Sequence, residues 1–196
     1  MRFLLIALLM LAVAGPAPAA ETMPPPSGPK EPLVEPKLGE DGIFHQDWFV
    51  QSFLDLREDH AEAKAAGKRF AIFFEQRGCI YCTKMHKEVL SLRYINDYLR
   101  ENFHIVQLDL WGSREVTDFD GTVLPEKKLA ERWGVLFTPT VVFFKDELPA
   151  DAKWGTALEV ARMHLGMGPD TFYDMFVWIR TKTYEKDPNF QRFHIE

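Results

Sequence analysis

The chain has 196 residues, 46% of them hydrophobic, with 16 phenylalanines, two cysteines and a formal net charge of −6. That composition is ordinary for a globular protein with a large apolar core. No basic cluster stands out, which argues against nucleic acid or an anionic membrane surface as partner.

Met1-Arg2 supplies a positive start, and Phe3 to Ala14 an apolar stretch shorter than the roughly 20 residues a bilayer span needs. Gly15-Pro16 then breaks any helix, and Ala17-Pro18-Ala19 has the small-x-small pattern of a cleavage site. Residues 1–20 are therefore expected to be a signal peptide cleaved near Ala19 or Ala20, sending the mature chain to a bacterial periplasm. An uncleaved anchor is the competing reading. Residues 21–40 read as a flexible leader, since Glu21 to Lys37 carries six prolines and no apolar periodicity. Residues 41–196 then form one domain of typical size.

Gln51 to Ala66 has helical spacing, with Phe53, Leu54 and Leu56 on its apolar side and Gly67 as the stop. Arg69 to Phe74 reads as a buried strand. Thr83 to Leu90 and Leu92 to Glu101 read as helices, Phe103 to Leu110 as a strand, and Pro125 to Trp133 as a short helix closed by Gly134. Thr140 to Phe144 and Leu158 to Met163 are strands. Pro169 to about Lys182 closes the domain as a helix with Phe172, Met175, Phe176 and Ile179 on one face. This order implies a three-layer α/β sandwich, a mixed sheet with helices on both faces.

The chemistry concentrates at Cys79-Ile80-Tyr81-Cys82, which holds both cysteines of the chain. At a strand-to-helix junction the first cysteine meets the unpaired N–H groups of a helix start, which favour a thiolate. Arg77 adds a positive charge of the helpful sign. Cys79 is the candidate nucleophile and Cys82 the resolving thiol. A staple role is weak, because so short a loop constrains the unfolded chain little. A zinc site from Cys79, Cys82 and His86 lacks the fourth ligand a structural site requires. His86 alone reads as an ordinary helix residue, with proton transfer as the minority alternative. Gly78 serves either a turn or the close approach of a partner backbone. Ile80 and Tyr81 leave the potential undetermined, within a span of about −270 to −120 mV for such centres.

The runs Phe73-Phe74-Glu75-Gln76-Arg77-Gly78-Cys79-Ile80-Tyr81-Cys82, Lys84 to Leu90, Glu115 to Gly121 and Phe137-Thr138-Pro139-Thr140-Val141-Val142-Phe143-Phe144 resemble thioredoxins, and among them the SoxW-type periplasmic group. The similarity runs from about Trp48 to Phe193. It implies a thioredoxin-like sandwich and a thiol:disulfide oxidoreductase needing no cofactor beyond its own dithiol. It further implies exported proteins bearing disulfides as substrates and a membrane thiol-electron transporter as the reductant. Pro139 is implied to be cis and to face the cysteines, with Thr138 offering its backbone to an incoming peptide. Oxidase, isomerase and cytochrome c maturation roles stay open, as does a non-catalytic metal-binding module. One departure matters. Thioredoxins commonly carry a buried acid six residues before the first cysteine, where this chain has Phe73. Glu75 is the nearest substitute, although a strand-end glutamate is ordinarily solvated.

Overall fold

The computed structural model describes residues 35–149, 154–164 and 166–195. The expected signal peptide and most of the expected leader lie outside the described residues. The first element is a small antiparallel hairpin, β1 (Lys37–Leu38) and β2 (Phe44–His45). It takes in Lys37 and Leu38 from the stretch read as leader. Then come α1 (Leu56–Ala65), β3 (Arg69–Glu75) and α2 (Ile80–Lys84), which runs directly into a π turn over Met85–Val89. They are followed by α3 (Arg93–Asn102), β4 (Phe103–Asp109) and a second hairpin of β5 (Glu115–Thr117) and β6 (Val123–Pro125). The chain continues as α4 (Glu126–Arg132), β7 (Thr140–Phe144), β8 (Glu159–His164), α5 (Pro169–Arg180) and α6 (Phe190–Ile195).

Four strands make the central sheet in the order β4-β3-β7-β8. β3 runs parallel to β4 and antiparallel to β7, and β7 is antiparallel to β8, so the sheet is mixed as expected. Every residue of β3 is buried, and the two-residue period of a strand splits them between two cores. Ala71 and Phe73 face one cluster with Met85, Val89, Leu99 and Phe176. Phe70, Ile72 and Phe74 face the other, with Leu56, Ala63, Leu129 and Trp133. The π turn, α3 and α5 thus cover one face of the sheet, and α1 and α4 the other. Phe176 anchors α5, its ring centroid 4.8 Å from Phe103 and 4.9 Å from Phe143 in edge-on contacts, each worth about 0.5–1.5 kcal/mol beyond burial.

The expected helix from Gln51 begins instead at Leu56. Leu54 has φ +65°, and its carbonyl accepts from Thr117 N–H at 2.8 Å, so this stretch bridges to β5 rather than coiling. Asp55 caps α1 by accepting from Arg57 N–H, and Phe53, expected on the apolar side, is 99% exposed. The helix expected over Thr83 to Leu90 is present, but its second half is the π turn, closed by Leu90 N–H to Met85 O at 2.8 Å.

The same junction buries a carboxyl group. Asp59 is 5% exposed and accepts from Ser52 Oγ at 2.6 Å, which in turn accepts from Leu54 N–H. Burial pushes Asp59 up to about 6, against the lowering effect of the Ser52 bond. Between the unfolded value of about 3.9 and this one the native state holds the extra proton. Stability therefore falls as pH rises through that window, by up to about 3 kcal/mol. Asp59→Asn keeps an acceptor for Ser52 and removes the titration. We expect its urea midpoint to exceed the parent's at pH 7.5 and the advantage to vanish by pH 4. An equal difference at both pH values would refute this.

Candidate redox site

β3 ends at Glu75, and the chain turns through Gly78, whose φ of +73° is left-handed backbone that glycine adopts at little cost. The turn reading of Gly78 is the one the backbone requires. Cys79 is then the N-cap of α2. Its carbonyl accepts from Thr83 N–H at 3.0 Å and its Sγ from Cys82 N–H at 2.9 Å. Cys79 and Cys82 are joined as a disulfide with Cα atoms 5.2 Å apart. Both are buried, Cys79 at 8% exposure and Cys82 at 3%.

Facing them is the turn before β7. The Thr138–Pro139 bond is cis, as implied. Cys79 Sγ lies 3.5 Å from the Thr138 carbonyl oxygen, and Thr140 Oγ1 ties the turn by donating to Phe137 O at 2.7 Å. Around this small opening the surface is apolar: Ile80, Tyr81, Leu136 and Phe137 are all more than half exposed. Trp111, 71% exposed, is held by its indole N–H on Gln76 Oε1 at 2.9 Å. It shares with Leu110, Ala130, Val135 and Leu136 a groove of about 450 Å³ rimmed by Lys127, Lys128 and Glu131.

Arg77 donates to Asp41 O at 2.9 Å and Glu40 O at 3.4 Å, so its hydrogen bonds secure the β1–β2 turn. Two expectations about neighbouring residues need correction. Glu75 is not solvated; it is completely buried. Its parity on β3 aims it to the same face as Phe73, and its carboxylate meets His86 Nε2 at 2.9 and 3.0 Å. His86 is likewise completely buried and is no ordinary helix residue. Its Nδ1 lies 3.0 Å from Gln46 Nε2. Gln46 Oε1 accepts from Asn96 Nδ2 at 3.1 Å, and the same nitrogen donates to Leu90 O at 2.7 Å. Gln107 Nε2 bridges Glu75 Oε1 and the Phe44 carbonyl, 2.8 Å from each.

Gln46, Asn96 and Gln107 were not legible as site residues. The signal for Glu75 was its two-residue offset from Phe73, and for His86 its four-residue offset from Cys82. As for metal, both ring nitrogens of His86 are engaged and the two sulfurs are bonded to each other. Among the described residues, Asp59, Glu62 and His104 bring donor atoms within 4.8 Å of one another. They sit on α1 and β4, against the opposite face of the sheet.

Residues 56–148 match the family model of a thioredoxin-like domain. A thioredoxin-fold protein from Helicobacter pylori superposes with a TM-score of 0.53 at 17% identity, over 70% of this chain and 92% of that one. A thioredoxin from Thermus thermophilus gives 0.48 at 26% identity, covering 65% and 85%. A DsbH oxidoreductase gives 0.44 at 19%, covering 74% and 94%. No curated protein sequence matches the chain. The architecture is therefore a thioredoxin-like α/β fold carrying a Cys-x-x-Cys disulfide.

Proposed function

From a thioredoxin-like fold with its single cysteine pair at a helix start, we propose that this chain is an exported thiol:disulfide oxidoreductase working as a reductase. The observation that carries the reading is the Cys79–Cys82 disulfide capping α2, with Cys79 Sγ against the carbonyl of Thr138 before a cis proline. In the reduced form the Cys79 thiolate attacks a partner's disulfide, and the helix-start N–H groups stabilise its charge. An extended partner segment lies along Thr138 and exchanges backbone hydrogen bonds there. Cys82, deeper and one turn on, then displaces the partner and restores the observed disulfide.

The substrates are exported proteins bearing disulfides, and the apolar collar of Ile80, Tyr81, Leu136 and Phe137 suits partly unfolded chains. The chain has two cysteines, both in this pair. Electrons therefore arrive from another protein, for which a membrane thiol-electron transporter is the fitting class. The leader pattern supports a periplasmic site of action, and the SoxW-like runs support a place in sulfur oxidation. Equilibration with glutathione tests the direction. We expect a reduction potential at the reducing end of this class, near about −270 mV; a value near about −120 mV would make the chain an oxidase.

A further inference from the structure

On the sheet face opposite the π turn, α1 lies against the start of β4 and three metal-ligating side chains come together. Asp59 and Glu62 stand three residues apart on α1, the spacing that makes side chains neighbours on one helix face. His104 is the second residue of β4. It is in register with Phe70 of β3, and its ring centroid lies 6.1 Å from that of Phe70. The cluster brings two carboxylates and one imidazole within 4.8 Å of one another, measured between donor atoms.

Two observations separate this cluster from an ordinary acidic surface. Asp59 is 5% exposed, yet among the described residues no cation is paired with it. Its partner is the neutral hydroxyl of Ser52, which donates to Oδ2 at 2.6 Å. The neighbouring charges that act on it, Glu62, Asp55 and Glu58, are negative. Cations on the same helix and just past its end are engaged elsewhere: Arg57 on Asp55, Lys64 on Glu147, and Lys68 Nζ on the Arg100 carbonyl. Buried charges are ordinarily paired or coordinate metal. The second observation is the imidazole. His104 Nε2 is buried and has no hydrogen-bond partner among the described residues, where buried polar atoms ordinarily have one. A carboxylate without a cation and an imidazole without a partner are both satisfied by one positive ion.

The donor set selects the kind of ion. Imidazole suits zinc and its first-row neighbours, whereas magnesium and calcium take oxygen ligands. Three protein donors, with Glu62 exposed at the outer edge, leave a further position for water, as in open zinc sites. Bonds of about 2.0–2.2 Å set neighbouring donors about 3.4 Å apart. The exposed Glu62 side chain is free to close that difference, while Ser52 holds the Asp59 carboxylate from behind.

We propose that Asp59, Glu62 and His104 hold a divalent transition-metal ion of the zinc class, which fastens α1 to β4. The site is separate from the cysteine pair and stands whether or not the redox reading does.

The test uses the oxidised full chain, in which the disulfide keeps both sulfurs from the metal, stripped with EDTA and exchanged into metal-free buffer. Titration calorimetry with zinc chloride at pH 7.5 should show one equivalent bound with a Kd of about 0.1 mM or tighter. Glu62→Gln and His104→Gln should each weaken binding about tenfold or more. His45→Gln, which removes the imidazole of an exposed His–Asp pair, should leave it within about twofold, as a distant site does. Zinc should raise the urea midpoint of the parent and leave that of Glu62→Gln unchanged. A tenfold excess of magnesium should not displace the zinc. Because Glu62 is exposed, its variant decides even where His104→Gln, packed beside Phe70, fails to fold. A weaker parental Kd, parental affinity in Glu62→Gln, or displacement by magnesium overturns the proposal.

Discussion

Cys79→Ser is expected to abolish disulfide reduction, by roughly a thousandfold or more, the scale on which losing a covalent nucleophile acts. Cys82→Ala should behave differently. It retains the first chemical step and halts after it, accumulating one equivalent of partner on Cys79. The asymmetry follows from the geometry. Cys79 is the more exposed residue of the pair, and its sulfur receives a backbone N–H from α2. It is also the one in contact with the Thr138 carbonyl, beside which a partner chain aligns. Cys82 is the more buried residue of the pair. Non-reducing electrophoresis of a Cys82→Ala incubation without added thiol reads the result directly. Equal trapping by both single-cysteine variants would mean that either sulfur can be attacked from solvent, and the assigned roles would fail.

The second large effect is on stability. His86→Leu leaves Glu75 fully buried, facing an apolar side chain where its strongest donor stood, and strands the Gln46 amide. Leaving a buried polar group without its partner costs about 1–3 kcal/mol, and more for a charged one, a large share of what holds a domain of this size together. Replacing both, Glu75→Leu with His86→Leu, removes the uncompensated group and should recover most of that loss, since apolar substitutes for a buried pair are often neutral. Urea unfolding of the two single variants and the double variant measures the coupling between the sites. If His86→Leu costs less than about 1 kcal/mol, the buried network is looser than its distances indicate.

How far the sequence could be read depended on the distance along the chain over which each feature is decided. The cysteine pair, β3, α3 and the α5 stripe of Phe172, Met175, Phe176 and Ile179 are local patterns, and each lies where periodicity puts it. Thr138–Pro139 alone reads as an ordinary trans turn proline; only together with the cysteine pair, through the resemblance to thioredoxins, was its cis bond expected. The start of α1 was misplaced because Leu54 is committed to Thr117, a partner far along the chain. Phe53, apolar but solvent-facing, completed the false pattern. The polar network was the least legible part. Glu75 reaches 11 residues to His86 and 32 to Gln107, and His86 reaches 40 back to Gln46. No spacing rule links such positions. The π turn also escaped notice, as nothing in Met85 to Val89 distinguishes it from ordinary helix by composition.

The hairpin of β1 and β2 looks like an ornament on the domain, yet it contributes the Phe44 carbonyl that orients Gln107, and Gln46 follows it directly. The segment that matches the thioredoxin-like family begins only at residue 56. The matched segment and the buried hydrogen-bond network therefore have different borders. A graft of the family segment alone onto another protein would carry both cysteines and the cis proline but leave behind the outer wall of the acid's chamber. Two supports of the buried Glu75–His86 network, Gln46 and the Phe44 carbonyl, thus enter from upstream of the matched segment.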